Sequence, residues 1–167
     1  MKTLKNYLFI AVLVSLTFPA VGQEDPGAKN GSPTYLNSNM TVIDGLYKAF
    51  AVGDIPAVLG GLDPNVVWNE AEGNKYADGN PYKGPEAVLN GVFGRILAEH
   101  EYFNLDEIEL HEMSNNKVLA TLRYKAKLKN GNEYNAQVAH FWTLKNGKVI
   151  AFQQYVDTKK LNDALSK

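Results

Sequence analysis

Cysteine is absent from all 167 residues. That absence excludes disulfides, thiolate metal sites, a cysteine nucleophile and a lipid anchor on cysteine. Histidine is scarce. His100, His111 and His140 are the only three, and none has the spacing of paired ligands on one helix face, so no metal and no cofactor is expected. An excess of either charge is also missing. With 17 basic and 18 acidic residues the formal net charge is −1, which leaves no field to gather nucleic-acid phosphates or an anionic membrane surface. Nucleic acid is therefore not expected as a partner.

What is present is globular in composition, 45% hydrophobic and 21% charged, in a length that suits one domain with one core. Residues 1–22 have a basic start (Lys2, Lys5), an apolar stretch from Tyr7 to Phe18, and Ala20 and Gly22 before a cleavage point ahead of Gln23. This is the pattern of a cleavable signal peptide. The apolar stretch is shorter than the roughly 20 residues a spanning helix needs, so no membrane insertion is expected after cleavage, and the protein is expected to be exported, periplasmic or secreted. Residues 23–38 are rich in Gly, Pro, Ser and Asn and are read as a flexible linker. The folded domain is assigned to 39–167.

Within that domain Asn39 or Thr41 can cap a helix whose stripe is Met40, Ile43, Tyr47 and Phe50, ended by Gly53. Asp54 caps a short helix through Leu59, a turn at Asp63-Pro64-Asn65 follows, and a strand spans Val66 to Asn69. Glu70 to Pro85 is a polar loop, a lid or a disordered segment. Glu86 to His100 is a third helix, with Gly91 and Gly94 allowing close packing on a sheet. Four strands come next, roughly Leu105 to Met113, Val118 to Leu128, Glu133 to Leu144 and Lys148 to Val156, separated by Asn- and Gly-containing turns. A last helix runs from Thr158 to Leu165. Helices followed by an antiparallel meander predict an α+β cone, a curved antiparallel sheet closed by N-terminal helices around a pocket.

The two-residue period of a strand sorts its side chains. Tyr134, Ala136, Val138, His140, Trp142 and Leu144 share the inward face, which leaves His140 as a lone titratable group among apolar neighbours. Tyr124 points inward from the preceding strand, whereas Arg123, Lys125 and Lys127 point outward. A three-residue loop at Lys145-Asn146-Gly147 sets His140 opposite Phe152 and brings Gln154 into the same cavity. A tighter two-residue Asn-Gly turn sets His140 opposite Gln153 instead. The apolar set Ile150, Phe152 and Val156 favours the first register.

Gly53-Asp54-Ile55, Val66-Val67-Trp68, Tyr82-Lys83-Gly84, His140-Phe141-Trp142-Thr143, Asn146-Gly147-Lys148-Val149 and Gln154-Tyr155-Val156-Asp157 occur in this order. In them the chain resembles the SnoaL-like, ketosteroid-isomerase-like branch of the nuclear transport factor 2 superfamily. The resemblance implies an NTF2-like cone around a hydrophobic pocket and a homodimer through the outer sheet face. It does not imply one chemistry. It places Asn69 at the position of the isomerases' proton-shuttling carboxylate, with Glu70 able to serve only if the strand is offset by one residue. It places His140 nearest their second acid, and Asp157 where SnoaL-like cyclases carry an acid; capping the last helix is the other role for Asp157.

Three functions compete. One is a small-molecule binding protein of the cell envelope, with Trp68, Tyr124 and Trp142 in apolar contact with a small, apolar or partly polar organic ligand and Asn69, His140 and Gln154 fixing its orientation. The second is an isomerase, cyclase or dehydratase moving protons beside a carbonyl, with His140 as acid/base. The third is a protein-interaction module using the outer sheet face.

Overall fold

A computed structural model describes residues 38–166. The leader assigned to 1–22 and, but for its last residue, the linker assigned to 23–38 lie outside the described residues.

Helix α1, Ser38–Ala51, turns Ile43, Leu46, Tyr47 and Phe50 to one side, and its first three are buried. The spacing of three, one and three residues is one face of an α-helix. Gly53 takes φ +73 and ends the helix, and the Asp54 carboxylate accepts the Ala57 N–H at 3.0 Å to start α2, Ile55–Gly60. Strand β1 covers Leu62–Asn69, longer than the sequence suggests. The expected turn at 63–65 is present as a local Asx turn, the Asp63 carboxylate accepting the Asn65 N–H at 2.8 Å, within the strand where its register to β6 shifts between Leu62 and Val67.

The segment after β1 is folded. A 3-10 turn, Lys75–Gly79, and the two-residue strand β2, Tyr82–Lys83, bury Tyr76 and Tyr82. Asn80 returns to Glu70, accepting its main-chain N–H at 2.9 Å and donating to its carbonyl at 2.7 Å. The expected third helix is one continuous rod in three parts: α3, Pro85–Val88; a π-turn, Leu89–Phe93; and α4, Gly94–Glu99. Gly91 is needed there, because a Cβ at that position would overlap the Tyr82 ring. Ion pairs Lys75–Glu99 at 2.9 Å and Arg95–Asp78 at 2.6 Å, with the Tyr76 hydroxyl on Glu99 at 2.8 Å, latch the 3-10 turn to α4.

Strands β3, His100–Met113, β4, Lys117–Leu128, β5, Glu133–Lys145, and β6, Lys148–Val156, form the meander, and α5, Thr158–Leu165, follows. The sheet is curved and unclosed, in the order β2-β1-β6-β5-β4-β3, with only β1 and β6 parallel. Along β4 and β5 the inward positions are buried as the two-residue period requires, from Val118 to Leu128 and from Tyr134 to Leu144. The outward row pairs across strands, Lys125 with Asp106 at 2.8 Å and Lys127 with Glu101 at 2.9 Å.

The β5–β6 hairpin departs from both expected registers. Asn146 and Gly147 take φ +52 and +73 in a two-residue turn, and Lys145 faces Lys148. The register then shifts by one between Thr143 and Leu144, where Ile150 is the extra residue of a bulge. Val149 is buried in place of Ile150, and His140 comes to lie opposite Gln154, with Trp142 opposite Phe152. Two bent stretches, 62–67 in β1 and 149–151 in β6, thus lie side by side and bend the sheet together.

Candidate active site

The inner face of the sheet and helices α1 and α4 enclose a cavity of about 50 Å³, room for about three or four waters. Most of its wall is aromatic. Trp68 stacks on Phe152 with centroids 3.7 Å apart, and Trp142 meets Phe152 at 4.4 Å. Against this wall stands an arc of polar side chains, each placed by a different element: Tyr47 on α1, Glu70 just past β1, Tyr124 on β4, His140 on β5 and Gln154 on β6.

Hydrogen bonds join the arc end to end. The Trp142 indole N–H donates to the Tyr47 hydroxyl at 3.0 Å, which lies 2.8 Å from His140 Nδ1. On the other side of the ring the Tyr124 hydroxyl is 2.6 Å from Nε2, and it accepts the Gln154 amide at 3.0 Å. Gln154 Oε1 accepts from Asn74 at 2.9 Å, and Asn74 Nδ2 also donates to Glu70 Oε2 at 3.0 Å. Glu70 Oε1 accepts the Trp68 indole N–H at 2.7 Å. Among the described residues no buried side-chain nitrogen or oxygen lacks a partner, as a network in a low-dielectric interior requires.

Burial sets the charge states. Glu70 is 2% exposed, and loss of water pushes its carboxyl up to about 7, with the donors Trp68 and Gln154 pulling the other way. Desolvation pushes the His140 imidazolium down to about 3. The same cause raises Tyr47 and Tyr124, so both hydroxyls keep their protons. A neutral imidazole offers one donor and one acceptor. His140 therefore accepts a hydrogen bond from one tyrosine and donates one to the other, and the second tyrosine, whose oxygen already accepts from His140 and from Trp142 or Gln154, has its own O–H left for an acceptor in the cavity.

Of the residues singled out from sequence, Trp68, Tyr124, His140, Trp142 and Gln154 all line this cavity. Asn69 does not. It pairs with Gln153 and alternates with Trp68, so it lies on the other face of the sheet. Two residues after Trp68, Glu70 has the inward parity and lines the cavity. Asp157 is also outside: it caps α5, accepting the Lys160 N–H at 3.2 Å. Three participants carry little sequence signal. Tyr47 looks like one more member of a helix stripe, Glu70 is the first residue of a polar loop, and Asn74 lies in the middle of that loop. Among the described residues no group of three His, Asp or Glu side chains could hold a metal ion, and no helix is long and apolar enough to cross a membrane.

A family model described as a SnoaL-like domain matches residues 43–152. No curated protein matches the chain significantly in sequence. Among solved structures, an NTF2-like protein from Burkholderia thailandensis is 23% identical, with a TM-score of 0.71 over 78% of this chain and 98% of its own. TerC, crystallised with polyporic acid, is 22% identical, with a TM-score of 0.71 over 78% of this chain and all of its own, 100%. A proposed polyketide cyclase from Xanthomonas campestris pv. campestris is 17% identical, with a TM-score of 0.67 over 77% of this chain and 96% of its own. At these identities the likeness establishes the fold.

Proposed function

We propose, from the premise that this chain belongs to the family of SnoaL-like domains, that its cavity binds a small, mostly apolar carbonyl compound and moves a proton at the carbon beside that carbonyl. The observation that carries this reading is Glu70. It is the one carboxylate lining the cavity among the described residues, and burial brings it to about 7, where a group can both take and return a proton near neutral pH. Its oxygens accept from Trp68 and Asn74, and Gln154 also acts on it, which still leaves a lone pair for a substrate C–H proton.

In the first step the C–H bond beside the carbonyl breaks, its proton moves to Glu70, and its electron pair passes to the carbonyl oxygen. The left-over tyrosyl O–H donates to that oxygen, in a site where a fixed donor acts more strongly than water. In the second step the electron pair on oxygen reforms the carbonyl, and the protonated Glu70 gives its proton back to the same carbon or, in a conjugated dienolate, to the far carbon, and recovers its charge. His140 holds the two hydroxyls in place. The acid/base role passes to Glu70, because both His140 nitrogens are engaged and burial keeps the ring neutral. The cyclase likeness of the Xanthomonas neighbour is consistent with this chemistry.

The test is deuterium exchange. In D2O, with 2-butanone as a simple ketone small enough for the chamber, the protein should accelerate loss of the α-protons seen by NMR, and Glu70→Gln should lower that acceleration by roughly 10²-fold or more. Equal rates for both would remove Glu70 from the role. A pure binding function is the second reading, favoured by the small cavity whose buried polar atoms each have a partner; it predicts that 2-butanone binds and exchanges no faster than in buffer.

We also place this activity outside the cytoplasm, on the signal-like pattern of residues 1–22, and in a homodimer through the outer sheet face, on the resemblance. Mass spectrometry of the mature N-terminus and sedimentation equilibrium test these two points.

A further inference from the structure

Outside the cavity lies a second hollow that the reading above leaves unused. It is a mostly apolar groove of about 370 Å³ between the end of α1, the start of α2, the π-turn with α4, and the beginning of β3. Ile55, Leu89 and Leu97 form its far wall, and Gly53 and Gly94 add no side chains to fill it. Phe50, Phe93, Ile96 and Phe103 border both the groove and the inner cavity. The partition between the two is therefore one layer of side chains. Its three rings come from three elements, with Phe50 standing 6.0 Å from Phe93 and 6.3 Å from Phe103, centroid to centroid.

The two volumes suit different parts of one molecule. At about 50 Å³ the chamber admits a carbonyl and few further atoms, too little contact for useful affinity alone. The groove is several times larger and mostly apolar; its polar lining, His100, Glu101 and Tyr102, is separate from the Tyr47, Glu70, Tyr124 and His140 set of the chamber. Leu97, 77% exposed, lies at its outer side, where an apolar residue gains little without something to cover it.

We infer that chamber and groove are two halves of one binding site, and that its ligand is elongated: an apolar body lying in the groove, passed between Phe50, Phe93 and Phe103, with one carbonyl-bearing end in the chamber. This rests on the reading that a carbonyl compound occupies the chamber, and it adds the shape and polarity of that compound.

The test is binding of 2-butanone and 2-octanone followed in 1H–15N NMR spectra. The indole N–H signals of Trp68 and Trp142 report on the chamber, and the amides of Leu97 and Tyr102 report on the groove. 2-Butanone should move the indole signals alone. 2-Octanone should move both sets along one binding curve, with affinity at least roughly thirtyfold higher, below the full gain of burying four more methylenes. Leu97→Glu should weaken 2-octanone about fivefold or more and leave 2-butanone unchanged, whereas Val52→Glu, equally exposed but off the groove, should change neither. Equal affinities for the two ketones, groove signals that move without the indoles, equal loss of both ketones in Leu97→Glu, or no binding of either ketone would overturn the inference. The readout is binding, so a chain-length gradient without α-proton exchange would sink the proton-transfer reading and leave this one standing. Exchange without a gradient would do the reverse.

Discussion

Burial drives Glu70 and His140 in opposite directions, and the pH dependence of stability should show both. Glu70 rises from 4.5 to about 7 on folding. Between those values the folded chain holds a proton that the unfolded chain has lost, so stability falls as pH rises through this window. His140 drops from 6.5 to about 3. There the unfolded chain holds the extra proton, so stability falls as pH drops below 6.5. From pH 4.5 to 6.5 the two effects oppose each other at up to about 1.4 kcal/mol per pH unit each. Urea titrations should find that Glu70→Gln makes stability climb with pH in this range relative to wild type, and that His140→Gln makes it decline. Parallel profiles for all three proteins would mean that neither group is shifted in the fold. At this scale the sequence was legible wherever parity alone decides. Trp68, Tyr124, His140, Trp142 and Gln154 follow from strand alternation. Glu70 did not, because it lies just past the strand and is held inward by Asn74 and Asn80 of the loop that follows. Nor could His140's role be read, since its two tyrosine partners lie 93 and 16 residues away in sequence.

Elements were legible where local chemistry sets them. The Asp54 and Asp157 caps, the Asn146-Gly147 turn and the bounds of α5 follow from side chains acting on their own neighbours. What escaped depends on partners distant in sequence. The Ile150 bulge exists because β6 pairs with bent β1 on one side and regular β5 on the other, and the loop after β1 is ordered because Asn80, Asn74 and α4 hold it. His100, unremarkable in sequence, ties the end of α4 to the sheet: its Nδ1–H donates to the Ile96 carbonyl at 2.9 Å, so Nε2 accepts the Tyr134 O–H at 2.8 Å. Gly45 and Gly91, both helical, should separate in the same way. Gly91→Ala, which drives a methyl into the Tyr82 ring, should destabilise the fold by about 1–3 kcal/mol. Gly45→Ala, with nothing within 4 Å of the new methyl, should stabilise it by up to about 1 kcal/mol. Matching shifts in the urea midpoint would show that the ring moves aside freely.

For the whole molecule the open sheet leaves one long edge, the 14 residues of β3. Unpaired edges invite other strands. This one carries Glu101, Asp106, Glu107, Glu109 and Glu112, and a bulge at Glu107 with φ +55 breaks its line. Replacing Glu109 and Glu112 by Thr removes the acidic neighbour that follows the exposed Ile108 and the one that precedes the exposed Met113. Light scattering should then detect species larger than wild type that grow with concentration; an unchanged molar mass would show that these two charges do not protect the edge.

The aromatic wall has one more consequence, which is optical. Trp68 and Trp142 are the only tryptophans in the chain, and both face the chamber with ring centroids 5.7 Å apart and planes at 78°. Indole emission from this protein therefore originates inside the chamber, and the close, crossed pair gives the near-ultraviolet spectrum a handedness set by chamber geometry. Colour added at 295 nm or light lost there speaks for the interior, while events on the outer face of the sheet stay dark.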